Sequence, residues 1–513
     1  MPLPLTRSSA PLAIPAALLL LLAAAASPPP PDGPRVVVDT GTLEGVTDSA
    51  TGVLVFRGIP YAAPPVGNLR WRPPQPAPRW SGVRRADQLG KNCMQTQIYG
   101  DIDPFAAGVS EDCLYLNVWT TELGAPAAKP VAGSTRAARA RAAAAAAARP
   151  AGRPVLVWIH GGGFRAGFGG EERHHGARLA QKGAVVVTLN YRLGALGFLA
   201  HPSLAAESPR RASGNYALLD QIAALRWVKR NIARFGGDPQ RVTIFGESAG
   251  GMSVGALIAS PLAAGLFHRA IMESGTGIGL GVQRRDSASA AGVRFAAMLG
   301  VQGTGRDAAA RLRAVRAESL LVATDSAART MGLPFMPVVD GWVLPRPVDS
   351  AVARGAANAV PVIVGSNADE PDVVFGAPSR SLARLVAARG GRAYVYQFTR
   401  AGEDSVSRKR GAYHSAEITF VFGRPRPLLD VAGRAAYDST LAEAMSDYWV
   451  AFATSGDPNG PPAAGRWPRW PAYTAAGDST MELGAEIAPR VGVRRTVYDS
   501  LDAIGRARGE VRP

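Results

Sequence analysis

Short apolar runs recur along the chain and alternate with segments in which apolar residues repeat every three or four positions. The runs predict buried strands at residues 155–159, 184–189, 242–245, 361–365 and 394–398. Ahead of the third strand, apolar residues recur at spacings of 4, 3, 3 and 4, which predicts a helix with one apolar face, through Leu218, Ile222, Leu225, Val228 and Ile232. This alternation predicts an α/β fold with a mainly parallel central sheet and helices on both faces. Ligands then bind at the carboxyl ends of the strands.

The first 26 residues have a different pattern. Arg7 precedes an apolar run over residues 11–26 that ends in small residues and is followed by a proline cluster. This order predicts a secretory signal peptide over residues 1–26, and hence a secreted or periplasmic protein. The run is shorter than the roughly 20 residues of a spanning helix, so no stable membrane anchor is expected, although a retained anchor is the alternative. The folded domain is placed at residues 33–513.

Residues 125–153 interrupt the pattern because they consist almost entirely of Ala, Arg, Pro and Gly. Such a segment contributes little to a hydrophobic core. Its Ala-Arg part favours a solvated helix. We interpret it as a low-complexity insertion within the domain.

Composition changes this outline only slightly. The chain has 513 residues, 47% of them hydrophobic, which is ample for a large core in one α/β domain or in two to three smaller ones. The net charge of +17 comes mostly from arginines scattered over the whole chain, without aromatic residues interleaved among them. No nucleic-acid partner is therefore expected. No feature predicts an oligomeric state.

A serine between glycines provides the first candidate for chemistry. In the stretch TIFGESAGG, residues 243–251, Ser248 lies between a predicted strand and a predicted helix. A tight strand-to-helix turn of this kind exposes a nucleophilic hydroxyl, and its glycines avoid side-chain clashes. An ordinary turn is the alternative, so the motif needs a base, an acid and an oxyanion site elsewhere.

Two histidines follow Ser248 and are candidates for the base, because the triad of this architecture runs Ser, acid, His along the chain. His268 lies only 20 residues after Ser248 in a helix-like segment and is interpreted as structural. His414 comes from a late loop and is the predicted base. The acid should follow a strand between Ser248 and His414. Asp369 and Glu370 follow the strand 361–365, and Asp340, in a predicted tight turn, is the second choice.

A glycine loop is the candidate oxyanion site. Residues 160–164, HGGGF, follow the strand 155–159 directly. Their backbone N–H groups, with the amide of Ala249, would bind the oxyanion of an ester. A phosphate loop is the alternative, but no Lys-Ser or Lys-Thr follows as that motif requires.

The chain contains two cysteines, Cys93 and Cys113. In an exported chain their pairing is the natural assumption, with a pair of free buried thiols as the alternative.

Long motifs resemble the type B carboxylesterases, a family that includes cholinesterases, bacterial esterases and the neuroligin adhesion proteins. They cover nearly the whole mature chain and lie at residues 56–71, 110–119, 157–164, 190–199, 214–251, 364–370 and 412–423. The resemblance implies an α/β-hydrolase fold. It assigns the nucleophile to Ser248, the acid to Glu370 rather than Asp369, and the base to His414.

The same resemblance assigns further roles. It places the oxyanion donors at Gly162, Gly163 and Ala249, a disulfide between Cys93 and Cys113, and a residue that supports the acid at Ser274.

Four departures from the family accompany the match. Ala217 and Pro371 stand where the family usually or often has glycine, and the insertion has no evident family counterpart. The segment between the two cysteines also lacks the tryptophan with which cholinesterases bind a quaternary ammonium group. Cholinesterase specificity is therefore not expected.

Together these features predict an exported serine carboxylesterase that hydrolyses a small-molecule ester through an acyl-enzyme, without a metal or organic cofactor. One alternative is a catalytically silent binding or adhesion protein on the same fold. Another is an acyltransferase, amidase or carbamate hydrolase, because all of these share the acyl-enzyme chemistry.

Overall fold

The computed structural model describes residues 33–99, 107–124, 152–402, 405–424 and 436–511. Within these ranges the strands are, in chain order, β1 Arg35–Val38, β2 Gly41–Glu44, β3 Val46–Thr47, β4 Leu54–Pro60, β5 Val83–Arg85, β6 Asn92–Cys93, β7 Val109–Ser110, β8 Tyr115–Thr120, β9 Arg153–Ile159, β10 Val185–Leu189, β11 Gly237–Glu247, β12 Arg269–Glu273, β13 Gln283–Arg284, β14 Val338–Val339, β15 Val362–Asn367, β16 Ala393–Phe398, β17 Ser479–Leu483 and β18 Ile487–Val491.

One large mixed sheet organises these strands. Its order is β18-β17-β16-β15-β12-β11-β9-β10-β8-β4-β3. The strands from β17 to β10 run parallel to one another, whereas β18 at one side and β8, β4 and β3 at the other pair in antiparallel fashion. The predicted mainly parallel sheet is confirmed, and each predicted strand corresponds to one of β9, β10, β11, β15 and β16.

Helices connect the strands. In the described ranges they are α1 Ala177–Gln181, α2 Gly194–Phe198, α3 Pro202–Glu207, α4 Tyr216–Asn231, α5 Ala249–Ala259, α6 Arg285–Met298, α7 Arg306–Ala314, α8 Ala317–Met331, α9 Val348–Ala353, α10 Gly376–Ala388, α11 Ser405–Arg410, α12 Ile418–Val421, α13 Ala436–Ser455 and α14 Arg495–Ala507. Helix α4 covers most of the predicted apolar repeat.

Strand β9 explains why helices cover both faces of the sheet. All its apolar side chains are buried, and they alternate between two cores because successive strand residues point to opposite faces. Val155 and Val157 pack in the core that contains α4 and α5. Leu156 and Trp158 pack in the core that contains α1 and α13. A parallel strand buried on both sides reads as a continuous apolar run, which made it recognisable in the sequence.

Two segment boundaries predicted from the sequence, those of the signal peptide and of the insertion, can be compared with the structure. One compact unit spans Gly33–Pro513, and the predicted signal peptide lies outside the described residues. Residues 125–151 of the insertion also lie outside them, whereas Arg153 is the first residue of β9. Among the described helices, none combines the length and the apolarity of a membrane span.

Candidate active site

Ser248 lies on the turn between β11 and α5, at the carboxyl end of the central strands. Its backbone has φ 55° and ψ −122°, a left-handed conformation that a non-glycine residue rarely adopts. A Cβ at Gly246 would lie 2.7 Å from the carbonyl carbon of Gly250, and a Cβ at Gly250 would lie 2.9 Å from the oxygen of His160. The glycines on both sides are thus required by close backbone packing, which fits a nucleophile elbow.

His414 lies next to the serine. Its Nε2 is 2.9 Å from Ser248 Oγ, and its Nδ1 is 2.5 Å from Glu370 Oε1. Because the carboxylate can only accept, Nδ1–H donates to Glu370 and the Nε2 lone pair is left to accept from the serine hydroxyl. The ring of Phe375 stacks on the imidazole, with centroids 4.7 Å apart. This arrangement can draw the proton from Ser248.

Glu370 is held from two sides. Its Oε2 accepts hydrogen bonds from Ser274 Oγ at 2.9 Å and from the amide of Asn367 at 2.7 Å, and the residue is 7% exposed. Ser274, to which the resemblance assigns a supporting role, thus bonds Glu370 directly. Pro371 does not displace the acid, because its carbonyl accepts from Val374 and Phe375 in an ordinary turn.

The other acid candidates have different partners. Asp369 Oδ2 accepts from the amide of Ala412 at 2.7 Å and so supports the histidine loop. Asp340 Oδ1 accepts from the amides of Trp342 and Leu344, as expected of a tight turn. Within the described residues neither carboxylate contacts His414.

The glycine loop lies against the serine turn. A Cβ at Gly161 would lie 3.3 Å from Ser248 Cβ. Within the described residues, the amides of Gly162, Gly163 and Ala249 donate to no other group of the chain. Three backbone donors, two in the glycine loop and one in the serine turn, thus remain available to a bound group such as an oxyanion.

His268 is not near this cluster. It lies in a bend before β12 rather than in a helix, and its Nδ1 accepts from the amide of Val242 at 3.3 Å. Burial lowers the pKa of His268. The structural interpretation of this residue fits these contacts.

The structure contains a disulfide between Cys93 and Cys113. Among the described residues, no cluster of three or more His, Cys, Asp or Glu side chains is arranged to hold a metal ion. Ala217, which replaces a family glycine, is fully buried in the core.

A second carboxylate, which was not predicted from the sequence, lies at the histidine. Glu247 Oε1 lies 3.1 Å from His414 Nε2 and accepts from Ser415 Oγ at 2.7 Å. Burial raises the pKa of Glu247, while its coulombic interaction with His414 acts in the opposite direction. The sequence signal that could have identified Glu247 is an acidic residue at the end of a buried apolar strand.

Asn367 and Glu417 were also missed. Asn367 Nδ2 donates to the carbonyl of Tyr413 at 2.7 Å and to Glu417 Oε2 at 2.5 Å. Burial and the nearby carboxylates raise the pKa of Glu417 well above its usual value. The amide joins the acid loop to the histidine loop, and no local sequence pattern reveals this bond.

Comparison with known proteins identifies the family of this chain. The carboxylesterase family profile matches residues 32–373 and 371–499. The chain is similar to the fumonisin B1 esterase of Sphingopyxis macrogoltabida, with 35% identity over 525 residues that cover 90% of this chain and 89% of that protein. It is also similar to the para-nitrobenzyl esterase of Bacillus subtilis strain 168, with 34% identity covering 88% and 95% of the two chains.

Solved structures give the same result. A thermophilic PNB esterase has a TM-score of 0.77 and 31% identity, covering 91% of this chain and 99% of its own. A carboxylesterase of Geobacillus stearothermophilus has a TM-score of 0.74 and 32% identity, covering 90% and 99%. With a family match over nearly the whole described chain and the α/β-hydrolase fold, this chain belongs to the carboxylesterase family and is a carboxylic ester hydrolase.

Proposed function

We propose that the protein is an exported serine carboxylesterase that hydrolyses uncharged small-molecule esters through an acyl-enzyme on Ser248. The observation that carries the proposal is the continuous hydrogen-bonded series from Ser248 Oγ through His414 to Glu370, with distances of 2.9 and 2.5 Å. Serine is a weak nucleophile until an adjacent base takes its proton, and this series supplies such a base.

In the first half-reaction Ser248 Oγ attacks the ester carbonyl while His414 Nε2 takes its proton. Glu370 holds the ring and stabilises the imidazolium, and the amides of Gly162, Gly163 and Ala249 bind the oxyanion. His414 then gives its proton to the leaving alcohol as the carbon–oxygen bond breaks. In the second half-reaction water attacks the acyl-enzyme by the same proton transfers, which releases the carboxylic acid and restores Ser248.

Export is supported by the order of charged, apolar and small residues over 1–26 and by the disulfide, since disulfides persist in oxidising compartments. We further propose that residues 33–513 form one hydrolase domain, with residues 125–153 as an insertion without a catalytic role.

Transfer to an acceptor other than water is the second candidate. It uses the same residues, and nothing in the described site favours it over hydrolysis. The intact Ser248, Glu370 and His414 favour an enzyme over the catalytically silent binding protein.

Ser248→Ala tests the mechanism. Deletion of a triad nucleophile lowers kcat by a factor on the order of 10⁶, and a fluorophosphonate probe should label the parent enzyme only on the peptide that contains Ser248. Substantial turnover by the variant would contradict the mechanism.

A series of p-nitrophenyl esters of increasing acyl length, assayed with and without an added alcohol, separates hydrolysis from transfer. Free acid as the main product supports the proposal. A predominant new ester would favour the acyltransferase.

A further inference from the structure

The glycine loop continues to Gly167, and over residues 160–167 it contains one residue, Phe164, whose backbone conformation a non-glycine residue does not favour. Gly162, Gly163 and Phe164 are left-handed in succession, with φ of 97°, 62° and 61°. Phe164 is not a glycine, and such a conformation persists only where the surrounding contacts over-determine it. Inside the loop, the amides of Arg165 and Ala166 donate to the carbonyl of Gly162 at 3.0 Å, and further contacts come from residues outside it.

Tyr191 makes the contact at the beginning of the loop. Its hydroxyl donates to the carbonyl of His160 at 2.7 Å, and its ring stacks on the His160 imidazole with centroids 4.4 Å apart and planes inclined by 15°. Tyr191 is fully buried and His160 is 1% exposed. Burial lowers the pKa of His160 to about 4, so the stacked ring is neutral. One side chain thus fixes both the backbone and the ring of the residue that precedes Gly161.

The segment that carries Tyr191 is itself held on either side. Asn190 accepts from the amide of Gly169 at 2.8 Å. Arg192 forms a buried two-point ion pair with Asp220 on α4, with distances of 2.7 and 2.6 Å. The residues on both sides of Tyr191 are therefore held in place by buried contacts.

The middle and the end of the loop have their own contacts. The amide of Gly194 donates to the carbonyl of Phe164 at 2.7 Å. Gln95 accepts from the amide of Gly167 at 2.8 Å and donates to its carbonyl at 3.0 Å. Gln95 lies two residues after Cys93, so the disulfide loop reaches the end of the glycine loop.

We propose that Tyr191 is a positioning residue for the oxyanion site, with Gln95 as its counterpart at the other end of the loop. The proposal rests on the function above, in which the amides of Gly162 and Gly163 bind the oxyanion. Fixing both ends keeps these two amides oriented before the substrate arrives. Preorganised donors stabilise developing charge without reorganisation during the reaction.

Tyr191→Phe removes the hydroxyl and retains the stacked ring. We expect kcat to fall about tenfold with KM within about twofold, a part of the 10²–10³ loss seen when an oxyanion donor is removed. A trifluoromethyl ketone, whose adduct with serine carries an oxyanion, should bind more weakly by the same factor as kcat falls. The pH midpoint of kcat/KM should not move, because Tyr191 does not contact His414.

Tyr448→Phe is the matched control. The Tyr448 hydroxyl donates to the carbonyl of Pro468 at 2.6 Å in an equally buried position on α13. This variant should lose a similar amount of thermal stability and keep the parent kcat and inhibitor constant. A parent-like kcat and inhibitor constant in Tyr191→Phe would overturn the proposal, as would an equal loss of kcat in Tyr448→Phe.

If Tyr191→Phe does not fold, Gln95→Met tests the same proposal at the other end of the loop. It should weaken the inhibitor and lower kcat together, and parent values would overturn the proposal. The proposed mechanism is tested separately by Ser248→Ala, whose outcome does not depend on either loop variant.

Discussion

At the scale of single residues, backbone strain is concentrated at the proposed site. Eight described non-glycine residues have positive φ, and four of them are Phe164, Ser248, Ser274 and Ser415. Each such residue costs on the order of 1–3 kcal/mol and is retained where the surroundings require it. Three of these four are serines whose hydroxyls bond a residue of the proposed site or its neighbour: Ser248 bonds His414, Ser274 bonds Glu370 and Ser415 bonds Glu247.

The identity of the orienting acid can be tested at this scale. Glu370→Gln should lower kcat by roughly 10⁴, because an amide no longer fixes the tautomer or stabilises the imidazolium. Asp369→Asn and Asp340→Asn should remain within about tenfold of the parent, since both carboxylates bond backbone amides instead. Steady-state kinetics of the three variants decides the assignment. If either aspartate variant were the inactive one, the acid would be misassigned.

The pH profile should reveal the second carboxylate. Burial alone would lower the pKa of His414, but Glu247, Glu370 and Glu417 raise it to about 9. The base must be neutral to accept the serine proton, so kcat/KM of the parent should rise with pH to a midpoint above the ordinary histidine value. Glu247→Gln removes a negative charge beside Nε2 and should move that midpoint down by about one pH unit.

Asp369→Asn is the control for this experiment, because Asp369 lies next to Glu370 after β15 and bonds the amide of Ala412 instead of His414. Its kcat/KM profile should have the parent midpoint. A Glu247→Gln profile that coincides with the parent profile would show that Glu247 does not act on His414.

At the scale of elements, strands buried on both faces were predictable and those at the margins of the sheet were not. Strand β9 and residues 242–245 of β11 read as nearly continuous apolar runs. Strand β8 includes the polar residue Asn117, whose side chain accepts from the amide of Gly58 on β4, so its burial depends on a partner distant in sequence. Hydrophobic periodicity indicates which residues of one segment are buried. It does not indicate which distant segment that segment pairs with.

The disulfide loop is an element whose removal should affect both stability and activity. Breaking the bond in a Cys93→Ala/Cys113→Ala variant should lower the free energy of unfolding by about 3 kcal/mol in the chain-entropy model. It should also lower kcat several-fold, because Gln95 is then less firmly held against Gly167. Denaturant titration and kinetics of the double variant measure the two effects. An unchanged denaturation midpoint would contradict the stabilising role.

At the scale of the whole molecule, the family motifs assign the proposed triad to residues that the fold brings within hydrogen-bond distance, while the residues around that triad could be identified only from the fold. Ser248, Glu370 and His414 lie in local motifs after strands. Tyr191, Gln95 and Asn367 act through bonds to residues far away in sequence, so no single stretch reveals them. Reactive side chains at the end of a strand can be predicted from local sequence motifs. The contacts that orient those side chains depend on tertiary packing and cannot be predicted in this way.

The position of the insertion provides the last prediction. Glu122 and Arg153, near its two ends, form an ion pair at 2.9 Å, and Gly124 and Arg153 donate to the carbonyls of Arg234 and Gly236 in one turn. The ends therefore lie together at the amino-terminal end of β9. The serine lies beyond its carboxyl end, about 20 Å away at about 3.3 Å per residue. Replacing residues 125–151 by a short glycine linker should leave kcat/KM within about twofold and the melting temperature nearly unchanged. Loss of soluble protein or a large fall in melting temperature would mean that the insertion packs on the domain.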